Sequence, residues 1–316
     1  MKHLMLVLVV ASVYLAERRA EPARQATLKD LSWAFPMPDN ARPGGDEDQP
    51  LQHVPGSKST YTEEQINPFN PPDWFPDEHP AMPEVVRHGR GGPVQACSYC
   101  HLASGFGHPQ SANLTGLSVG YLMSQIADFK SGARIAPPMD SIAKGLTEED
   151  AQLASQWFAS LKTGPWVKVL EADKVPRTYV LFTRLRLPFP DSSKEPLGDR
   201  IIEVPEEPEL ARSYDPHSGF VAYVPIGSIA KGEMLVTTGG DGKTTPCVAC
   251  HGQTLKGLGA VPKIAGRSPL YIVRQLYNMQ AGVRGGAGVE PMKPVVVNLT
   301  EDDMLAIASY VASRAP

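Results

Sequence analysis

Hydrophobic side chains recur along this chain in three rhythms. The first is an apolar run from Leu4 to Ala16, behind Lys2 and ahead of Glu17-Arg18-Arg19. It is too short to span a bilayer but fits the core of a secretory leader. We expect residues 1–20 to be removed on export, with Ala16 or Ala20 as candidate cleavage points. No cysteine stands near them, which excludes a lipoprotein anchor. The second rhythm is helical. It predicts helices over Tyr121–Arg134 and Tyr271–Arg284, and an amphipathic helix with the stripe Ala154, Trp157, Phe158, Leu161, answered later by Ile307, Tyr310 and Val311. The third is alternation: Thr178–Leu187 and Arg200–Val204 read as strands.

The helical segments repeat. Both repeats are anchored on a Cys-x-x-Cys-His run, ending at His101 and His251. Counted from these histidines, Gly116 matches Gly266, Tyr121 matches Tyr271, and Gln125 matches Gln275. Gly132 and Gly282 follow, then Arg134 and Arg284. A three-residue insertion in the second copy comes next, after which Pro138-Met139 answers Pro291-Met292 and Leu146-Thr147 answers Leu299-Thr300. Thr147-x-x-Asp150 and Thr300-x-x-Asp303 predict capping boxes on the closing helices. The duplication divides the chain into a leader (1–20), a Pro-rich arm (21–79), a first unit (80–165), an insert (166–225) and a second unit (226–316).

The two runs, Cys97-Ser98-Tyr99-Cys100-His101 and Cys247-Val248-Ala249-Cys250-His251, use every cysteine in the chain. This spacing is the attachment signature of c-type haem. Two thiols three positions apart can add to the two vinyl groups of one porphyrin, and the adjoining histidine becomes the proximal iron ligand. Zinc would want both pairs on one ion, yet they lie far apart and each carries its own His. A redox dithiol needs no trailing His, and four cysteines are too few for a disulfide scaffold. We therefore expect two covalently bound haem c groups, held by Cys97, Cys100 and His101 and by Cys247, Cys250 and His251. Met139 and Met292 are the expected sixth ligands, since each follows a proline at the same repeat position in a loop between two helices. Met123, Met279 and Met304 fit helical stripes and read as packing. His53, His79, His88, His108 and His217 lie outside the shared positions and read as solvated or hydrogen-bonded surface histidines.

On these residues each half resembles a class I cytochrome c, and the tandem is similar to bacterial dihaem cytochromes of the cytochrome c4 type. The resemblance covers residues 80–165 and 226–316. It implies a mainly α fold: two class I cytochrome c domains in tandem, here with an extended Pro-rich N-terminal arm and a small β-containing insert. In that family a glycine on the first helix packs on an aromatic of the last, and Gly232 and Tyr310 match. The first half departs, with Met82 at the glycine position and Pro80 and Pro83 leaving room for only a short helix.

Composition adds limits. The net charge is −4, and the acidity is concentrated in residues 21–92. No basic patch argues for nucleic acid, and no later segment reads as a membrane span. The arm is rich in proline and acid but carries Trp33, Phe35, Tyr61, Phe69, Trp74 and Phe75. It reads as an extended strap docking its aromatics on a haem domain or a partner, the latter a second copy or a larger assembly. The chain reads as an exported, periplasmic electron carrier rather than a catalyst. Its implied donors are a quinol-oxidising complex or a periplasmic dehydrogenase, and its acceptors a terminal oxidase or reductase. A dihaem peroxidase or sulfur-compound dehydrogenase is the alternative, and the lack of a fifth cysteine to supply a thiolate ligand counts against one such class.

Overall fold

The computed structural model describes residues 31–38, 51–181 and 183–316. The leader expected over 1–20, and residues 21–30 and 39–50 of the arm, lie outside them. The first repeat runs through α1 (Glu84–Arg87), α2 (Cys97–His101), α3 (Val119–Ser131), α4 (Met139–Gly145) and α5 (Glu148–Ser160). The insert holds β1 (Val167–Glu171), β2 (Lys174–Pro176), β3 (Thr178–Val180), β4 (Arg186–Pro188), β5 (Lys194–Pro196), β6 (Ile202–Pro205), α6 (Pro208–Arg212) and β7 (Phe220–Val224). The second repeat follows as α7 (Ser228–Thr238), α8 (Val248–His251), α9 (Pro269–Gln280), α10 (Lys293–Val296) and α11 (Glu301–Ala312).

Matching residues start the matching helices. Ser118 Oγ accepts the Tyr121 amide at the head of α3, and Ser268 Oγ accepts that of Tyr271 at the head of α9, both at 3.2 Å. Each serine thus satisfies a helix N–H left free at the first turn. The helices end earlier than their apolar rhythm suggests. Gly132, at φ 80°, terminates α3, and α9 stops at Gln280. Arg134 and Arg284 therefore stand beyond the helices and pair with each other in an antiparallel bridge. Ile135 N to Val283 O (3.1 Å) and Gly285 N to Ala133 O (2.7 Å) extend it.

The capping boxes differ. Thr300 and Asp303 form the complete box, each side chain meeting the other's backbone. In the first repeat Thr147 Oγ1 accepts the Asp150 amide, but no reciprocal bond to the Thr147 amide forms. Arg90 holds the Asp150 carboxylate instead, with Nη2 at 2.7 Å and Nε at 3.1 Å.

The first helices also differ, for the reason their sequences state. In the second repeat α7 crosses α11 at Gly232, where a Cβ would stand 2.0 Å from the Ala306 carbonyl oxygen and 2.8 Å from Tyr310 Cβ. Only glycine allows so close a crossing. In the first repeat α1 is limited to four residues behind Pro83, and Trp157 of α5 donates its indole N–H to Pro80 O at 3.0 Å. Val85, Val86, Leu122, Trp157 and Phe158 form that core; Leu235, Leu270, Met304, Ile307 and Val311 belong to the larger second one.

The insert is a three-stranded sheet in the order β1-β7-β6, parallel between β1 and β7 and antiparallel between β7 and β6, with hairpins β2–β5 and β3–β4. The strand expected over Thr178–Leu187 is thus two short strands. The chain reverses between them, with Arg184 at φ 65°, and Tyr179 pairs with Leu187. Local alternation misread the span because both arms of the hairpin present apolar residues to one core.

The arm packs on its own chain. Leu31 and Ala34 are buried in the second core, and Phe35 meets Tyr277 edge-on. Trp74 is 1% exposed, donates its indole N–H to Ser213 O of the insert, and packs edge-on against Tyr61.

Candidate haem centres

Each attachment run forms one short helical turn, α2 or the Cys247–His251 turn containing α8, which puts both thiols and the histidine on one local frame. The histidines are held identically. Nδ1 of His101 lies 2.8 Å from Ala112 O, and Nδ1 of His251 lies 2.8 Å from Pro262 O, eleven residues on in each case. A carbonyl can only accept, so Nδ1 carries the proton and Nε2 is the nitrogen left for iron. The loops that present these carbonyls match too: Gly107 N bonds His101 O and Gly257 N bonds His251 O, both at 2.9 Å. Burial pushes both imidazoles below the usual histidine range, keeping the rings neutral as a ligand requires.

The cysteines are all free. Burial pushes Cys97 up to about 12, and Cys100 and Cys247 up to about 11. Such thiols are poor thiolates. Among the described residues no cluster of three or more His, Cys, Asp or Glu side chains could hold a bare metal ion. The donor set therefore suits thioether attachment with a neutral histidine, and zinc poorly.

Met139 is the first residue of α4, behind Pro138, and Met292 closes a 3₁₀ turn over Ala287–Met292 just before α10. Both are half-buried and lie between the two long helices of their repeat. Short helical turns replace the open loops expected there, since the flanking residues Met139–Gly145 and Lys293–Val296 close their own backbone bonds.

A seam of repeat-matched polar residues joins the halves. Arg134 donates to Gln125 Oε1 (2.7 Å) and, across the seam, to Gln275 Oε1 (3.0 Å) and Tyr271 Oη (3.2 Å). Arg284 mirrors it, donating to Gln275 Oε1 (2.9 Å), Gln125 Oε1 (3.0 Å) and Tyr121 Oη (2.9 Å). Both guanidiniums are buried. Among the described residues neither forms an ion pair, and Arg284 Nε has no partner. Burial alone would raise the Tyr271 hydroxyl, yet the charges of Arg134 and Arg284 outweigh it and lower the group. Two buried cations bonded only to neutral groups make a seam that favours anions, which fits haem propionates.

The remaining histidines divide. His53, His79, His88 and His217 meet Ser59 O, Asp73, Phe69 O and Glu78 respectively, as expected of hydrogen-bonded histidines. His108 does not fit that description: its Nδ1 is buried and unpartnered. Burial, with the charges of His101 and Arg274, pushes its pKa down to about 4. Sequence reasoning also missed a buried group that joins the insert to the second repeat. Glu203 of β6 accepts Ser268 Oγ at 2.7 Å, and Arg274 of α9 bonds Ala34 O and Pro109 O. No repeat signal marks it, because Arg274 aligns with Ser124. One upstream repeat pair was legible but overlooked. Gly89 and Gly239 both have positive φ, and a Cβ would stand 2.2 Å from Val94 O at the first and 2.3 Å from Thr244 O at the second.

The fold and these centres define a c-type haem protein. The cytochrome c family model matches residues 230–315. A cytochrome c-554(548) of Halomonas halodenitrificans is 33% identical over 24% of this chain and 92% of its own length. Two relatives match over a longer stretch of the chain. The thiosulfate dehydrogenase electron acceptor of Stutzerimonas stutzeri (strain A1501) is 26% identical over 73% of this chain and 84% of its own. Cytochrome c4 of Stutzerimonas stutzeri is 25% identical over 70% of this chain and 85% of its own. The chain belongs to the cytochrome c family, and it is an electron-transfer haem protein of the cytochrome c4 type. Among the described residues no helix is long and apolar enough to cross a membrane.

Proposed function

We propose that the chain is an exported dihaem electron carrier built from two tandem cytochrome c domains, residues 80–165 and 226–316. Cys97 and Cys100 anchor one haem c, and Cys247 and Cys250 the other. His101 and His251 are the proximal ligands, and Met139 and Met292 complete the coordination. The observation that carries this reading is the duplicated histidine clamp, Nδ1 to a carbonyl oxygen at 2.8 Å in both copies. Bound at these sites, the haems supply reversible one-electron chemistry, with thioether ligation raising the iron potential. The chain's own contribution is to hold each imidazole in one tautomer, to exclude water, and to set cationic charge at the seam. A full set of His and Met ligands leaves no open position for a substrate, which favours transfer over catalysis.

The relatives named as thiosulfate dehydrogenase electron acceptors favour a periplasmic dehydrogenase of reduced sulfur compounds as donor, over a quinol-oxidising complex. A terminal oxidase or reductase is the corresponding acceptor. Export rests on the Leu4–Ala16 leader and on the oxidising compartment in which haem is attached to such thiols. The test is denaturing mass spectrometry with a redox titration of the purified protein. Polypeptide plus two haem masses, and two one-electron steps, are expected. A chain with one haem, or with extractable haem, would overturn the reading.

A further inference from the structure

The two attachment turns are equivalent in sequence spacing but not in surroundings. Four positions differ, and each difference has a partner in the arm or the insert. Ala96 donates its amide to Pro68 O of the arm at 2.9 Å; its counterpart Pro246 has no N–H to give. Tyr99, between the two cysteines, lies 5.3 Å from the Tyr214 ring of the insert; its counterpart is Ala249, which is exposed. Leu102 is buried in the insert's core with Trp166, Leu187 and Phe220; its counterpart is Gly252. Phe106 stacks on Trp166 at 5.0 Å, and the Trp166 indole donates to Gly107 O; its counterpart, Lys256, is exposed. Tyr214 takes φ 61°, a conformation that L side chains adopt rarely and that persists only where surrounding contacts hold it.

Resting on the dihaem reading above, we propose that the arm and insert cap the first attachment turn, and that outside redox proteins dock on the second, around Ala249 and Cys250. A covalent haem hangs from its thioether bonds, so whatever covers the attachment turn also sets how near another protein can come. Electron transfer falls steeply with distance, and the capped turn is the poorer port. The open face also indicates its partner's chemistry. Leu258 is 57% exposed beside Gly252, and Val297 is 62% exposed beyond Val295, whose carbonyl accepts Thr244 Oγ1. Of the nearby charges, Lys243 is paired with Asp303 and Lys293 with Glu290, which leaves Lys256 as an exposed cation beside the turn. The face therefore suits a partner whose own docking surface is largely apolar, with at most a small acidic complement to Lys256, and whose binding depends weakly on salt.

The test uses the holoprotein and two reductants, photogenerated neutral flavin semiquinone and a reduced blue-copper protein. Ala249→Trp should slow the bimolecular reduction several-fold with both, and Leu258→Glu should slow it with the copper protein. Tyr99→Trp, at the capped position, should leave both rates unchanged, whereas Tyr214→Ala should raise them. As an independent readout, amide hydrogen exchange should be slower over 97–107 than over 247–257, and Tyr214→Ala should speed it only in the first segment. Equal slowing by Tyr99→Trp and Ala249→Trp, or no slowing by Ala249→Trp, would overturn the inference. Mass and ligand-band spectra of each variant separate the two readings: a missing haem would overturn the dihaem proposal, and intact haems with unchanged rates would overturn this one alone.

Discussion

Arg134 and Arg284 meet across the seam as backbone bridge partners, and each reaches the glutamine and tyrosine of the opposite repeat. Neither residue could form this arrangement within its own half. Removing the Arg134 guanidinium takes the donor from Tyr271 Oη and leaves Gln125 and Gln275 bonded to Arg284 alone, so Arg134→Met should destabilise the holoprotein by roughly 1–3 kcal/mol. Where the seam would hold haem propionates, the loss should also lower a haem potential, because a nearby cation would favour the reduced state. Denaturant unfolding and potentiometric titration measure the two effects, and an unchanged potential would separate the seam from the haems.

Gly232 tests the crossing of α7 and α11. A Cβ there would stand 2.0 Å from the Ala306 carbonyl, against backbone that cannot turn aside. Gly232→Ala should destabilise the second half by about 1–3 kcal/mol through overpacking. Thermal unfolding followed at a haem band should show it, while Gly120→Ala, with nothing near its Cβ, should be nearly neutral.

Met139→Ala and Met292→Ala probe the proposed sixth ligands one at a time. Each should remove about half of the weak long-wavelength band of ferric iron bound to thioether, and lower one potential. If either variant leaves both readouts unchanged, that methionine is a packing residue.

Glu203 gives a pH dependence of definite sign. Burial is the dominant cause that pushes its carboxyl up to about 7, against the opposing bond from Ser268 and charge of Arg274. Between the ordinary carboxylate range and about pH 7, the folded state then holds a proton that the unfolded state releases. Stability therefore falls as pH rises through this window. Glu203→Gln should flatten that slope, with a gain of order 1–3 kcal/mol at pH 8 and little change at pH 4. Denaturant titrations at the two pH values decide the matter.

Trp74 tests whether the arm is structural. It is fully buried against Tyr61 and bonded to Ser213 of the insert. Trp74→Ala should cost about 3–5 kcal/mol. A change below about 1 kcal/mol would return the arm to the role of a free strap.

The sequence by itself determined the chemistry and the duplication. Two Cys-x-x-Cys-His runs and repeat-matched Pro-Met pairs are local or periodic signals that spacing alone expresses, whereas the Gly232–Tyr310 pairing was legible only through the family resemblance. The sequence also foretold the short α1, because Pro83 limits the backbone whatever surrounds it. Tertiary structure decided the rest. The expected strand over Thr178–Leu187 became a hairpin, since alternation does not record where a chain reverses. Asp150 found Arg90 instead of closing its box, a choice made by a residue sixty positions away. His108, read as a surface histidine, is half-buried, with its Nδ1 closed off from solvent. Trp74 of the arm was buried against the insert and Trp33 packed on the second core, while Tyr214 and Trp166 of the insert packed on the first attachment turn and the loop after it. Outside that hairpin the deciding partner is distant in sequence, and burial, which sets the energy of every polar group involved, exists only once the segments have met.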